Sequence, residues 1–172
     1  CTIMYNSLHF SEHQQKRNGC IVFMEKPVII SIRGVQSLEP GEEDVMELVT
    51  QGVLRQEEGE GFSLSYLESE LTGLEGTMTT IQVEGEQVTL MRVGEFNTQM
   101  VFREGRRHLS MYNTPYGAMA IGVNTRHLLA ELDDHGGNIE IDYCIEVDHA
   151  VASRNIFCIQ FKEAEGSGSL KQ

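Results

Sequence analysis

Two ionisable side chains occupy positions that, by sequence parity, belong to the apolar face of segments in which apolar and polar residues alternate. Glu68 has the same parity as Leu64 and Tyr66, and Arg92 has the same parity as Leu90. Because residues two apart in a strand face the same side of a sheet, both charges are predicted to point inward. An inward charge is costly unless it is paired or hydrated. The pattern therefore makes Glu68 and Arg92 candidates for function.

Three tyrosines complete the candidate site. We predict that Tyr66, Glu68, Arg92 and Tyr112 converge inside the mouth of a barrel, where Arg92 would hold a carboxylate or phosphate of a small ligand. Tyr116 would stack at the entrance, although its Pro-Tyr-Gly context is also ordinary turn chemistry. The alternative is that Glu68 and Arg92 leave their strands at the ends and emerge into water.

Motifs of the common catalytic and metal chemistries are missing from the sequence. It contains no Gly-x-Ser-x-Gly elbow, glycine-rich phosphate loop, Cys-x-x-Cys pair or His-Glu-x-x-His spacing. Motif spacing in a sequence does not reveal metal ligands that are brought together from different strands. We predict no catalytic residues, no metal and no cofactor. An enzyme is the third interpretation of this chain, because no nucleophile stands beside a base.

Composition indicates one globular domain and excludes some partners. The chain has 172 residues, 40% of them hydrophobic and 23% charged, with a formal net charge of −13. This balance argues against nucleic acid and against an anionic membrane, because phosphate binding relies on Lys and Arg. With no apolar run of the roughly 18 residues that span a bilayer and no convincing export signal, a cytoplasmic monomer or homodimer is predicted.

The two ends differ in composition from the middle. Residues 1–23 show little alternation and are predicted to be a non-native or disordered leader, with Met24 as a plausible start. Residues 165–172 are rich in Gly and Ser, which is typical of a flexible tail. We therefore place the folded domain at residues 24–164.

Period-two alternation dominates this domain and predicts an all-β fold. Nine or ten short strands follow one another at hairpin spacing, which favours a single antiparallel up-and-down barrel over a sandwich. Gly52 is predicted to be a bulge, and residues 126–132 to be either a single helical turn or the end of a bulged strand. Cys144 and Cys158 lie at equal distances from Val151, so they could face each other, but we interpret them as buried free thiols.

The order of several short motifs is similar to that of the YwiB-like family. These are small bacterial proteins of unknown function with a calycin-like, or lipocalin-like, β-barrel. The resemblance covers about residues 26–163, implies about ten strands and supplies no catalytic residues. The motifs are Leu64-Ser65-Tyr66-Leu67-Glu68, Thr79-Thr80-Ile81, Met91-Arg92-Val93-Gly94, Met100-Val101-Phe102 with Gly105, and Tyr112-Asn113-Thr114-Pro115-Tyr116-Gly117.

Two functions fit a barrel of this size. The leading prediction is non-catalytic binding of a small, partly apolar molecule in the barrel, which rests on fold analogy more than on site chemistry. The alternative is a protein-interaction or regulatory module with a solid core. An interior packed with Met91, Phe102, Met111 and Met119 would favour that alternative.

Overall fold

The computed structural model describes residues 15–17, 20–57, 61–133 and 135–165. The predicted leader overlaps these ranges only at residues 15–17 and 20–23, and the predicted tail only at residue 165. The rest of both segments lies outside the described residues.

Antiparallel strands account for nearly all of the described chain. They are β1 (Gln15–Arg17), β2 (Cys20–Glu39), β3 (Glu42–Glu57), β4 (Gly61–Leu67), β5 (Met78–Glu84), β6 (Gln87–Val93), β7 (Thr98–Arg103), β8 (Arg107–Thr114), β9 (Gly117–Leu132), β10 (Gly136–Val147) and β11 (Ala150–Glu163).

The sheet closes on itself into a ten-stranded barrel. From β3 to β11 each strand pairs with the next along the chain, β11 pairs with β2, and β2 pairs with β3 to complete the circle. The short β1 is an additional strand that pairs with the start of β2. The prediction of a closed up-and-down barrel of about ten strands is confirmed.

Hydrophobic alternation places the core inside this barrel. On most strands every second residue is buried, as in the pattern of β5 or β11. Burial of these side chains is the main driving force for folding, at about 25 cal/mol per Å² of apolar surface. The largest fully buried apolar side chains are Phe102, Ile30, Leu54, Leu64, Ile81, Ile139, Ile141, Ile159, Val28, Val88 and Val123.

Connections alternate between the two ends of the barrel because consecutive strands are antiparallel. We call the end that carries the β2–β3, β4–β5, β6–β7, β8–β9 and β10–β11 connections the upper end. Its β4–β5 connection contains a 3₁₀ turn at Glu70–Thr72, which Ser69 caps and which ends at Gly73 with φ 73°. In the described part of the chain, no helix is long and apolar enough to cross a membrane.

Two local predictions are decided by strand register. The prediction of a bulge at Gly52 is wrong, because Gly52 pairs in regular register with Val28 and Tyr66. Glycine is needed there for close packing, since a Cβ would lie 2.5 Å from the carbonyl oxygen of Ser65. For residues 126–132 the bulged-strand alternative is correct. Asp142 pairs with His127 and Tyr143 pairs with Thr125, so Arg126 has no partner in the β9–β10 ladder and the register shifts there.

The two cysteines of the domain are free, as predicted, but they do not face each other. Cys144 lies opposite Arg154, and Cys158 lies opposite Glu140. The β10–β11 turn is at Asp148 and His149, both with positive φ, and is therefore earlier than the position assumed from sequence. Cys144 is buried, whereas Cys158 is only half-buried.

Candidate functional site

One row of inward side chains runs across seven neighbouring strands near the upper end. Directly paired residues of adjacent strands point to the same face of a sheet, so strand register alone places this row. Its members, from β3 to β9, are Gly52, Tyr66, Thr79, Arg92, Thr98, Tyr112 and Met119.

Glu68 lies just beyond the end of β4 and is almost completely buried. Its Oε1 accepts a hydrogen bond of 2.6 Å from the Thr79 hydroxyl, and its Oε2 accepts one of 2.9 Å from Thr72. The backbone N–H of Glu68 donates to the carbonyl oxygen of Thr77 at 2.8 Å. Hydrogen bonds to an ionised group are stronger than neutral ones, so this network holds the carboxylate firmly in place.

Arg92 provides the positive charge nearest to this carboxylate. Its Nε lies 3.9 Å from Oε1 of Glu68, and the two side chains are 22% and 2% exposed. The Nε is buried and has no hydrogen-bond partner among the described residues. A guanidinium carries five N–H donors in a fixed fork, so Arg92 keeps bonding capacity that the described residues do not use.

One buried and one half-buried tyrosine, Tyr66 and Tyr143, lie close to Arg92. Burial and the adjacent Glu68 charge raise the pKa of Tyr66 far above its ordinary value. Burial likewise raises the pKa of Tyr143, and the charge of Arg92 acts in the opposite direction. The Tyr143 ring packs edge-on against Phe102 with ring centroids 4.8 Å apart. Both phenols are therefore neutral at ordinary pH and can serve as hydrogen-bonding groups.

Further polar side chains share the inward parity of core residues. Two of their atoms, Oγ1 of Thr125 and Nδ1 of His108, are buried without a hydrogen-bond partner in the described ranges. Buried polar atoms are normally paired with protein or water, so unpaired ones indicate places where water or a ligand would bind. The buried members of this group are Thr79, Thr98, Ser110, Thr125, Ser153 and Asn155.

The structure brings three of the five predicted site residues together. Tyr66, Glu68 and Arg92 form one buried cluster. Tyr112 belongs to the same inward row but lies two strands from Arg92 and is 39% exposed. Tyr116 lies in the β8–β9 turn and is 98% exposed, so it stands apart from the cluster.

Sequence reasoning missed three contributors to the cluster. Thr79 has the parity of Ile81, and Tyr143 has that of Ile141, so alternation could have identified both. Thr72 had no such signal, because it reaches Glu68 from the 3₁₀ turn.

The methionine-packed interior that would favour the solid-barrel alternative is not found among the described residues. Phe102 is fully buried and Met91 is half-buried, but Met111 and Met119 are exposed by 56% and 41%. Met111 has the outward parity of β8, and Met119 lies at the open upper end, so neither fills the core.

Two surface depressions lie at the lower end of the barrel, away from this cluster. One is lined by Glu84, Glu86, Gln87 and Arg103. The other, of about 550 Å³, adjoins the β9–β10 turn and includes His135, Phe161 and Lys162. Among the described residues, no three His, Cys, Asp or Glu side chains are grouped as metal ligands would be.

The protein is a closed antiparallel β-barrel with a charged cluster beneath its upper end. Residues 30–159 match the family model described as a domain of unknown function, DUF1934, and the chain belongs to this family. It is 27% identical over 123 residues to the uncharacterized beta-barrel protein YwiB of Bacillus subtilis (strain 168), covering 72% of this chain and 84% of that protein. The predicted resemblance to the YwiB-like family is thereby confirmed.

A solved structure shows the same fold. The crystal structure of ywiB protein from Bacillus subtilis superimposes with a TM-score of 0.73 at 22% identity, covering 83% of this chain and 95% of that chain. This likeness concerns the fold alone, and the calycin-like label stays a prediction.

Proposed function

We propose that this barrel is a non-catalytic binding module for a small, partly apolar molecule with an anionic head group. The head group would be held by Arg92 under the upper end. The observation that carries the proposal is the buried Nε of Arg92, which has no hydrogen-bond partner among the described residues.

The surroundings of Arg92 suit such a head group. The carboxylate of Glu68 is already bonded to two threonine hydroxyls and is fixed 3.9 Å from the Nε of Arg92. The neutral phenol of Tyr66 is hydrogen-bonded within the cluster, to Glu68, and the neutral phenol of Tyr143 adds a hydrogen-bonding group without adding repulsive charge. A carboxylate or phosphate would satisfy the Nε of Arg92, which has no partner among the described residues, in the bidentate geometry that arginine favours.

The apolar part of the ligand would lie toward the mouth. Tyr112 and Met119 are directly paired, lie in the same inward row as Arg92 and remain partly exposed. The deeper interior is occupied by fully buried side chains such as Phe102 and Leu64. The ligand would therefore occupy the upper part of the barrel and not its centre.

Octanoate tests the proposal, with octanol as the matched neutral probe. Octanoate is expected to raise the melting temperature and octanol is not, because only the carboxylate can pair with Arg92. Arg92→Gln should abolish the shift. Arg126→Gln should preserve it, since Arg126 is exposed and its Nη2 lies 3.7 Å from Asp142 instead.

Two results would refute the proposal. One is a bare protein mass by native mass spectrometry together with no thermal shift from any anionic probe. The other is an octanoate shift of equal size in Arg92→Gln.

A second candidate function is a protein-interaction or regulatory module. The densely filled deeper interior favours it, because a solid barrel offers only its outer surface and rims for binding. A negative outcome of the ligand test would leave this function as the better one.

A further inference from the structure

The buried cluster contains one positive and one negative charge, which we call the charged pair. Arg92 supplies the first and Glu68 the second, with Nε of Arg92 3.9 Å from Oε1 of Glu68. The Glu68 side chain is 2% exposed and accepts hydrogen bonds from Thr79 and Thr72, which fix it within the cluster. The charged pair is therefore neutral as a whole before any anion binds.

The other titratable groups around the charged pair do not change this balance. Tyr66 faces both of its members from β4, and burial raises the pKa of this phenol, so it stays neutral. Tyr143 faces the guanidinium from β10 and is kept neutral by burial in the same way. The β4–β5 connection carries two further carboxylates, Glu70 and Glu75, and both are exposed to solvent.

An anion bound by Arg92 would lie close to the carboxylate of Glu68. A ligand oxygen at about 2.9 Å from the Nε, an ordinary hydrogen-bond distance, is at most about 7 Å from Oε1 of Glu68. Two carboxylates that share one site repel each other, so one of them holds a proton more tightly. A single guanidinium cannot neutralise both, and an uncompensated buried charge is costly. Binding of a bare anion is thus opposed by Glu68.

We propose that the ligand is a monobasic carboxylic acid that binds together with one proton, which it shares with Glu68. The proton comes from the solvent, so one guanidinium, two carboxylates and one proton leave the cluster neutral. This inference rests on the proposed function, because it concerns an anion held by Arg92. A phosphate monoester fits less well, since it carries a charge of about −1.5 to −2 near pH 7 and would have to gain a further proton.

Isothermal titration calorimetry with octanoate tests the proton uptake. The binding enthalpies in two buffers of different ionisation enthalpy give the number of protons that bind with the ligand. The affinity is measured over roughly pH 6 to 8, where free carboxylates are ionised. The wild type is expected to take up a proton, and its affinity should fall by up to about tenfold for each pH unit.

Two variants identify the group that shares the proton. Glu68→Gln removes the second carboxylate, so octanoate should bind without proton uptake and with an affinity that no longer depends on pH. His108→Gln is the control, because His108 pairs with the buried Val123 on the inward face and histidine side chains titrate near neutral pH. This variant should keep the proton uptake of the wild type. If Glu68→Gln does not fold, the proton count of the wild type decides the question on its own.

Four outcomes would overturn the inference. Octanoate binding by the wild type without proton uptake would refute it and leave the proposed function standing. So would an unchanged pH dependence in Glu68→Gln, or proton uptake that disappears in His108→Gln. Octyl phosphate that binds as tightly as octanoate near pH 7 would contradict the restriction to monobasic acids. Absence of octanoate binding at every pH would refute the proposed function, and this inference with it.

Discussion

The hydroxyl of Thr79 offers the sharpest test of the buried cluster. Thr79 is completely buried and donates a 2.6 Å hydrogen bond to Oε1 of Glu68. Thr79→Val keeps the volume and the β-branched shape but removes the donor. The carboxylate then keeps the bond from Thr72 and the ion pair with Arg92 at 3.9 Å.

The expected cost follows from the type of bond that is lost. A hydrogen bond to a charged group contributes about 1.5–3 kcal/mol, and removal of the donor leaves part of a buried carboxylate unsatisfied. We expect Thr79→Val to lower the free energy of unfolding by about 2 kcal/mol. For a chain of this length, that corresponds to a fall in melting temperature of roughly 4–8 °C.

Thr80→Val is the matched control on the opposite face of the same strand. The Thr80 hydroxyl lies 3.0 Å from Oγ of Ser65, so this substitution removes only a neutral, half-buried hydrogen bond. Its cost should be at most about 1 kcal/mol. Urea unfolding followed by circular dichroism would measure both values.

A double-mutant cycle with Glu68→Gln completes the test. If the charge of Glu68 strengthens the bond, the cost of Thr79→Val should fall by about 1 kcal/mol in the Gln background. Equal costs for Thr79→Val and Thr80→Val, or an undiminished cost in the Gln background, would refute the account of the cluster given above.

Three further predictions concern glycine packing, an unpaired hydroxyl and alkaline pH. Gly52→Ala should lower the free energy of unfolding by about 1–3 kcal/mol, because the added methyl group overpacks against Ser65. Gly34→Ala should be nearly neutral in urea unfolding, because the nearest atom to its new methyl group is Met46 Cε at 3.6 Å. Equal effects of the two substitutions would contradict the packing argument. Thr125→Val should raise stability by about 1 kcal/mol because its buried hydroxyl has no described partner, and a loss of stability would mean that a bound molecule satisfies it. Above pH 10, the ordinary tyrosine pKa, the unfolded state loses its phenolic protons before the folded state does, so the free energy of unfolding should fall as pH rises. Tyr66→Phe should make this fall with pH less steep. An unchanged pH dependence would contradict the raised pKa of Tyr66.

Most of the fold could be predicted from the alternation of apolar and polar residues in the sequence. A period of two identifies inward residues on strands such as β5, and the hairpin spacing identifies the order of strands. What alternation cannot supply is the position of a turn to within one residue. The two positive-φ residues Asp148 and His149 therefore escaped notice, and with them the true partners of Cys144 and Cys158.

The candidate site was predictable only where it lies on regular strands. Tyr66 and Arg92 follow the parity of their strands, so register places them on one face. The bond from Thr72 depends on the conformation of the β4–β5 connection, which carries no periodic signal. Met111 shows that residue type alone does not place a side chain in the interior, because it is apolar although its parity points outward.

The filled lower half of the barrel has a kinetic consequence. Side chains such as Phe102 and Ile81 block the interior below the polar row, so a molecule bound at Arg92 would have to leave by the path along which it entered. The β4–β5 connection lies at that same end and is tied to the cluster through Thr72 and Glu68. Binding and release would therefore share the upper end, next to the connection that holds the Glu68 carboxylate.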